Sequence, residues 1–152
     1  MKLDKKQILE YQQNKPPYLM IDYAEEVIPG ISAKGYKNLY EDEWFFKVHW
    51  PSDPNMPGML QIESLVQMSA LAILSLPNNK GKIMYLTSAT NLKFIKKIVP
   101  GDKLYIETKI KSYKRGIASC EGIGLVKKKI VCKAECNLIL PEEIKKYTLP
   151  KK

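Results

Sequence analysis

The run from Pro57 to Leu76 constrains the fold most, because it predicts one helix with apolar side chains on nearly all of its sides. Proline suits the first helical turn, where its missing N–H costs no hydrogen bond, so Pro57-Gly58 marks the helix start. Pro77 and Gly81 lie where the helix should end. A helix of this kind is buried on several sides. The run is interrupted by the polar residues Gln61, Glu63, Ser64 and Gln67. These interruptions disfavour a membrane span.

The second half of the chain predicts antiparallel strands. Residues 104–111 alternate between apolar or small and polar side chains, the period-two pattern of a half-buried strand. Hairpin turns are predicted at Lys114-Arg115-Gly116 and Lys127-Lys128-Lys129. One face of the last strand is predicted to be buried, with Ile130, Cys132, Ala134, Cys136 and Leu138 on it. One buried helix followed by a meander of strands predicts the α+β class, with an antiparallel sheet wrapped around the helix.

The first forty residues predict shorter elements. Asp4-Lys5-Lys6-Gln7 has the pattern of a capping box and predicts a short helix over residues 4–13. Residues 19–28 predict a strand, and a second extended stretch runs to about Tyr40 after a turn at Pro29-Gly30. The tail, residues 141–152, predicts one more helical turn or a frayed end. We expect residues 1–152 to form a single domain.

Composition indicates which kinds of partner and which cellular compartment to expect. The net charge of +9 and the pI near 9.3 favour an acidic partner, or else a solvated lysine-rich surface. A nucleic-acid partner is not expected, because the aromatic residues do not interleave with basic ones as a stacking platform requires. Cys120, Cys132 and Cys136 form no CxxC pair, and their odd number argues against a disulfide framework. Buried, reduced thiols and the lack of a signal-peptide pattern after Met1 predict the cytoplasm.

The segment from Val48 to Glu63 carries the candidate chemistry. His49, the only histidine, lies just before the predicted helix, and Glu63 lies inside it. A base, a carboxyl group and the free N–H of Gly58 thus share one segment, a set that can remove a proton beside a carbonyl group and expel a hydroxyl group. Burial on an apolar helix would raise the pKa of Glu63, as a general acid requires, unless a lysine pairs with it. Gln67 could orient this carboxyl group, or pack with its amide bonded to the backbone.

The same segment resembles the signature of the β-hydroxyacyl-acyl carrier protein dehydratases. The pattern His-Trp-Pro-x-x-Pro-x-Met-Pro-Gly-x-Leu-x-x-Glu-x-x-x-Gln runs here from His49 to Gln67. Two further segments are similar to the family in order and spacing: Pro17-Tyr18-Leu19-Met20-Ile21-Asp22, and Lys93-Phe94 followed by Val99-Pro100-Gly101-Asp102. The resemblance covers about residues 16 to 140.

This resemblance implies a hot-dog fold and a hydro-lyase. The implied reaction removes water from a β-hydroxyacyl thioester on acyl carrier protein and leaves a trans-2-enoyl thioester, in fatty-acid synthesis or a related acyl or polyketide pathway. It implies His49 as the base, Glu63 as the acid and Gly58 N–H as the donor to the thioester carbonyl, without a cofactor or metal. The two catalytic residues of one site would come from different protomers, so a homodimer or a higher oligomer, such as a trimer of dimers, is expected.

Four departures from the family pattern leave open whether the substrate is the ordinary fatty-acid intermediate or a specialised acyl chain. Val48 and Ser52 stand where the family usually has glycine, Lys15-Pro16 where it has a histidine, and Trp50 where phenylalanine is common. None of them removes a candidate catalytic group. Two alternatives stay open: a hot-dog thioesterase, which would release a free acid, and a non-catalytic basic binding module.

Three lysines are candidates for docking acyl carrier protein. Lys93, Lys96 and Lys97 lie near Phe94, which the resemblance puts beside the site entrance. Several lysines together can steer an acidic partner, although each exposed ion pair is weak. The alternative is that these lysines only keep the protein soluble.

Overall fold

The computed structural model describes residues 1–150. Its strands form one antiparallel sheet in the order β1-β2-β4-β5-β6-β3. The strands are β1 Tyr23–Ile28, β2 Ser32–Asn38, β3 Tyr85–Phe94, β4 Lys103–Lys114, β5 Ile117–Val126 and β6 Lys129–Ile139. The helices are α1 Lys5–Tyr11, α2 Trp44–Val48, α3 Gly58–Leu74 and α4 Pro141–Ile144, followed by the 3₁₀ turn Lys145–Tyr147. Within these residues, no helix combines the length and apolarity that a membrane crossing needs.

Helix α3 is the predicted central helix. Of its 17 residues 13 are buried, and it contacts β1, β2, β4, β5 and β6. Pro57 is the N-cap residue before this helix, and Gly58 is its first residue. Helix and sheet each bury an apolar face against the other, which stabilises both. The predicted α+β hot-dog arrangement, a sheet around one long helix, is confirmed.

The local signals in the sequence also form as predicted at several places. The Asp4 side chain accepts from the Gln7 N–H, and the Gln7 side chain accepts from the Asp4 N–H, which completes the capping box. Both hairpin turns are present, with positive φ angles at Arg115-Gly116 and Lys127-Lys128. On β4 the buried positions alternate as expected, at Leu104, Ile106, Thr108 and Ile110.

In the N-terminal half, one predicted element differs in the structure and one element was not predicted. The strand predicted over residues 19–28 begins only at Tyr23, because Leu19 to Ile21 enter the core and the Met20 N–H donates to a side chain of α3. The segment before His49 forms the short helix α2, for which no element was predicted. In both places a tertiary contact, rather than local periodicity, decides the backbone.

The burial predicted for β6 is wrong at Ile130, which is 42% exposed. Gly124 pairs with Cys132 and Leu125 pairs with Ile130, so Val131 is the extra residue of a β-bulge. The bulge shifts the alternation by one residue, and Val131 enters the core instead. Beyond it the predicted positions are buried, at Cys132, Ala134, Cys136 and Leu138.

Strand β3 is an exposed edge of the sheet. Most of its side chains are exposed, and large apolar ones lie on it and beside it at Ile83, Tyr85, Leu86, Phe94 and Ile95. An edge strand presents unpaired backbone groups, and apolar side chains beside such an edge are typical of a surface that another chain covers. The edge ends at Phe94, next to the start of α3.

Candidate active site

His49 lies at the C-terminal end of α2. Phe45 and Phe46 bury this helix in the core, and the His49 N–H donates to the Phe45 carbonyl at 2.9 Å. The imidazole Nδ1 lies 3.1 Å from the carbonyl oxygen of Asn55. Because a carbonyl oxygen only accepts, this hydrogen bond requires a proton on Nδ1, and in the neutral ring Nε2 then carries the lone pair that can accept. His49 therefore has the tautomer of a base.

Trp50 stacks on the imidazole of His49. The two rings are 4.7 Å apart at their centroids and only 14° from parallel. Stacking on one side and the Asn55 hydrogen bond on the ring edge together restrict the rotation of the imidazole. The tryptophan that departs from the family pattern thus helps to orient the candidate base.

Glu63 lies half-buried on α3, and Gln67 contacts it directly. Gln67 Nε2 donates to Glu63 Oε1 at 2.9 Å and to the Tyr18 carbonyl oxygen at 3.0 Å. Gln67 Oε1 accepts from the Met20 N–H at 2.7 Å. Because the Met20 N–H must face an oxygen, it selects the amide orientation that points Nε2 at Glu63. Gln67 therefore contacts the Glu63 carboxyl group and also bonds to the backbone, the two alternatives that the sequence left open.

The environment of Glu63 favours its protonated form. Burial raises the pKa of this carboxyl group above its ordinary value of 4.5, and the hydrogen bond from Gln67 offsets part of that increase. Among the ion pairs within residues 1–150, none includes Glu63. A protonated carboxyl group can donate to an oxygen that leaves as water.

We expect this raised pKa to make stability depend on pH through Glu63. The folded protein holds the Glu63 proton more tightly than the unfolded chain does. This contribution is fully present below pH 4.5 and is lost as pH rises through the raised pKa. Denaturation of wild type and Glu63→Gln should therefore show the wild type losing stability relative to the variant across that interval. A difference in unfolding free energy that does not change with pH would contradict the raised pKa.

Gly58 begins α3 beside the ring of Phe94. A Cβ atom at this position would lie 2.9 Å from Cε1 of Phe94, a distance that real Cβ atoms essentially never show, so a larger residue would displace the ring. Pro57 offers no side-chain cap, and the amide of Gly58 has no acceptor inside the helix. The positive end of the helix dipole therefore meets an N–H group that can receive a developing negative charge.

Within residues 1–150, His49 does not line the cavity that Glu63 lines. Glu63 lines a cavity of about 280 Å³ that follows α3 and is also lined by Ile83 to Leu86, whereas His49 is not among its lining residues.

Sequence reasoning missed Tyr18 as a neighbour of Glu63. Burial, and then the negative charge of Glu63, raise the pKa of the Tyr18 hydroxyl group. Gln67 and Tyr18 are 49 positions apart in the sequence, so no local sequence pattern predicts their contact.

The three candidate docking lysines are divided between two surfaces. Lys93 lines a groove of about 680 Å³ formed by β3 to β6, together with exposed charged residues of those strands. Lys96 and Lys97 line a different, smaller cavity beside Val99. Lys97 also pairs with Asp53, in the turn after His49. Of the three lysines, Lys97 is thus the one that an ion pair joins to the histidine segment within residues 1–150.

Comparison with known proteins identifies the family. The FabA-like domain model matches residues 13–135. The 3-hydroxyacyl-[acyl-carrier-protein] dehydratase FabZ of Clostridium novyi is 43% identical over 80% of this chain and 90% of the relative. The FabZ of Bacillus subtilis is 37% identical over 92% and 99%.

Solved structures share the fold at low identity. The dehydratase heterocomplex ApeI:P from Xenorhabdus doucetiae superimposes with a TM-score of 0.77 at 13% identity, over 92% of this chain and 95% of that one. A hypothetical thioesterase from Streptococcus pneumoniae with coenzyme A superimposes with a TM-score of 0.60 at 15% identity, over 77% and 83%. The fold is thus common to two activities, and the sequence relatives distinguish between them. The chain belongs to the family of FabA-like domains, among the relatives of the 3-hydroxyacyl-[acyl-carrier-protein] dehydratases.

Proposed function

We propose that this protein is a 3-hydroxyacyl-[acyl-carrier-protein] dehydratase of fatty-acid synthesis or a related acyl pathway. It removes water from a β-hydroxyacyl thioester and releases a trans-2-enoyl thioester. The observation that carries the proposal is the base tautomer of His49 in a chain whose Glu63 has a raised pKa. The family relatives, which are named as dehydratases, support the same reaction.

The reaction follows from the roles of three groups. The thioester carbonyl oxygen accepts from the Gly58 N–H at the start of α3, where the helix dipole stabilises negative charge. His49 Nε2 removes a proton from the carbon beside that carbonyl group. The carbon–oxygen bond to the β-hydroxyl then breaks as this hydroxyl group takes a proton and leaves as water; the proton comes from Glu63, or from the protonated His49 while Glu63 holds the hydroxyl group. The electrons of the broken C–H bond form the new double bond.

We propose that a second copy of the chain completes each site, in a homodimer or a higher oligomer such as a trimer of dimers. Two observations support this assembly: His49 does not line the cavity of Glu63 within one chain, and β3 presents an exposed edge with apolar side chains. A partner along this edge would cover apolar surface and satisfy backbone groups of the strand.

We also propose that the protein is a single domain and that it works in the cytoplasm. The sheet and α3 share one cluster of buried apolar residues, which supports one domain over the length of the chain. All three cysteines are free and buried, which supports our placing the protein in the reducing cytoplasm.

The test is an assay with a β-hydroxyacyl thioester and the corresponding enoyl thioester, run in both directions. We expect the enoyl product from the first substrate and the hydroxyacyl product from the second. Release of a free acid and a thiol would instead assign the alternative thioesterase activity. Absence of any turnover by well-folded protein, on carrier-bound as well as small thioesters, would leave a binding module.

Acyl carrier protein is the proposed donor of the substrate, and Lys96 and Lys97 are its proposed contact. Reversing both charges to glutamate should raise KM for a carrier-bound substrate several-fold at low salt, because clustered charges steer an acidic partner. Turnover of a small thioester should scarcely change. The matched control reverses Lys6 and Lys145, two exposed lysines elsewhere, so that net charge is equal. Equal effects of the two double variants would assign these lysines to solubility alone.

A further inference from the structure

Tyr18 is fixed beside Glu63 by a residue that contacts both. Gln67 Nε2 donates to the Tyr18 carbonyl oxygen at 3.0 Å and to Glu63 Oε1 at 2.9 Å. Because one nitrogen donates to both oxygens, the Tyr18 backbone and the Glu63 carboxyl group are adjacent. The proposed reaction uses Glu63 and leaves Tyr18 without a role.

The chain on either side of Tyr18 is held by two helices. Trp44 Nε1 on α2 donates to the Pro17 carbonyl oxygen at 3.3 Å, and Gln67 Oε1 on α3 accepts from the Met20 N–H at 2.7 Å. Met20 itself is buried in the core. A side chain on a backbone fixed in this way is already in place for a ligand, so binding costs little ordering of the chain.

The Tyr18 hydroxyl group is available as a hydrogen-bond donor. The residue is 47% exposed, although α3 holds its backbone. Burial, and then the negative charge of Glu63, raise the pKa of this hydroxyl group above its ordinary value of 10.0. Glu63 is therefore near enough to act on the group, and the group keeps its proton at neutral pH. A protonated phenol can donate to an oxygen atom placed at Glu63.

We propose that the Tyr18 hydroxyl group donates a hydrogen bond to the β-hydroxyl oxygen of the substrate and positions that oxygen at Glu63. A hydroxyl oxygen has two lone pairs, so it can accept from Tyr18 and from Glu63 at once. Tyr18 keeps its own proton throughout, and the proton that completes the water still comes from Glu63 or His49. The hydrogen bond strengthens as the carbon–oxygen bond breaks and negative charge develops on the oxygen. The inference rests on the proposed function, because that reaction brings the β-hydroxyl group to Glu63.

The variant Tyr18→Phe tests this contact, because it removes one oxygen atom and keeps the ring. We expect kcat/KM for dehydration to fall about tenfold, the effect of losing one hydrogen bond to the leaving oxygen. The matched control is Tyr147→Phe, the same change at an exposed tyrosine in the 3₁₀ turn after α4. It should leave kcat/KM unchanged. Thermal unfolding of both variants should be close to that of wild type, since neither ring is removed.

A binding measurement distinguishes contact with the substrate from a structural role. Calorimetry compares the amide analogues of a β-hydroxyacyl pantetheine and of a saturated acyl pantetheine of equal chain length. These amides do not dehydrate, because an amide acidifies the neighbouring carbon less than a thioester does. Wild type should bind the hydroxyl-bearing analogue more tightly, and Tyr18→Phe should lose about tenfold of this advantage. The variant should bind the saturated analogue as wild type does, whereas a purely structural role would weaken both analogues alike.

The ratio of the two affinities decides the inference, whatever the rates are. An equal ratio in wild type and Tyr18→Phe, or no preference in wild type, would overturn it and leave the dehydratase to the turnover assay. A preference that Tyr18→Phe loses, in a protein that turns over no β-hydroxyacyl thioester, would support the contact and refute the proposed dehydratase.

Discussion

Replacing His49 by alanine should lower kcat/KM for dehydration by ~10² to 10⁴-fold, because general base catalysis typically contributes that much. The structure gives the reason: Asn55 holds the Nδ1 proton, so Nε2 of His49 is the only acceptor that this ring offers to the substrate. His49 is partly exposed at the end of a short helix, and its truncation removes no core packing. The formation of enoyl thioester, followed by absorbance, measures the effect.

The matched control is Trp50→Phe, which keeps a ring beside the imidazole and introduces the residue that the family pattern favours. It should retain most of the activity, because the base and its Asn55 hydrogen bond remain in place. Thermal unfolding of both variants should be close to that of wild type. Near-normal turnover by a well-folded His49→Ala protein would remove His49 from the mechanism.

Mixing two inactive variants should restore activity if each site combines residues of two protomers. A mixed dimer of His49→Ala and Glu63→Gln chains has one site with both residues intact and one with neither. Random exchange of equal amounts makes half of the dimers mixed, so the expected recovery is about a quarter of the wild-type rate. The expectation follows from the Glu63 cavity, which His49 does not line within residues 1–150 of one chain.

Subunit exchange has to be shown independently, for example by copurification of a tagged and an untagged chain. The control mixes two preparations of the same variant, which should stay inactive at every ratio. If exchange is complete and the rate stays at the level of the single variants, then both residues act within one protomer or one of them is dispensable. Either result would reject the shared site.

Local signals in the sequence were sufficient for much of the architecture. The nearly all-round apolar run predicted α3 as the helix that the sheet surrounds, because such a helix is stable only when covered on several sides. The capping box at Asp4 and the two lysine-rich turns formed as predicted, since each depends on residues within a few positions of one another. The spacing of His49, Gly58 and Glu63 was likewise sufficient to predict the candidate site from the sequence alone.

Tertiary structure decided what depends on partners distant in the sequence. The bulge at Val131 moved Ile130 to the surface, because pairing with β5 sets the register of β6. The Met20 N–H, 47 positions from Gln67, determines which end of the Gln67 amide faces Glu63. The Asn55 carbonyl is only six positions from His49, but the folded turn is what brings it to the imidazole ring. Sequence periodicity reports which faces are apolar, whereas a hydrogen bond such as that between Gln67 and Tyr18, 49 positions apart, depends on the folded geometry.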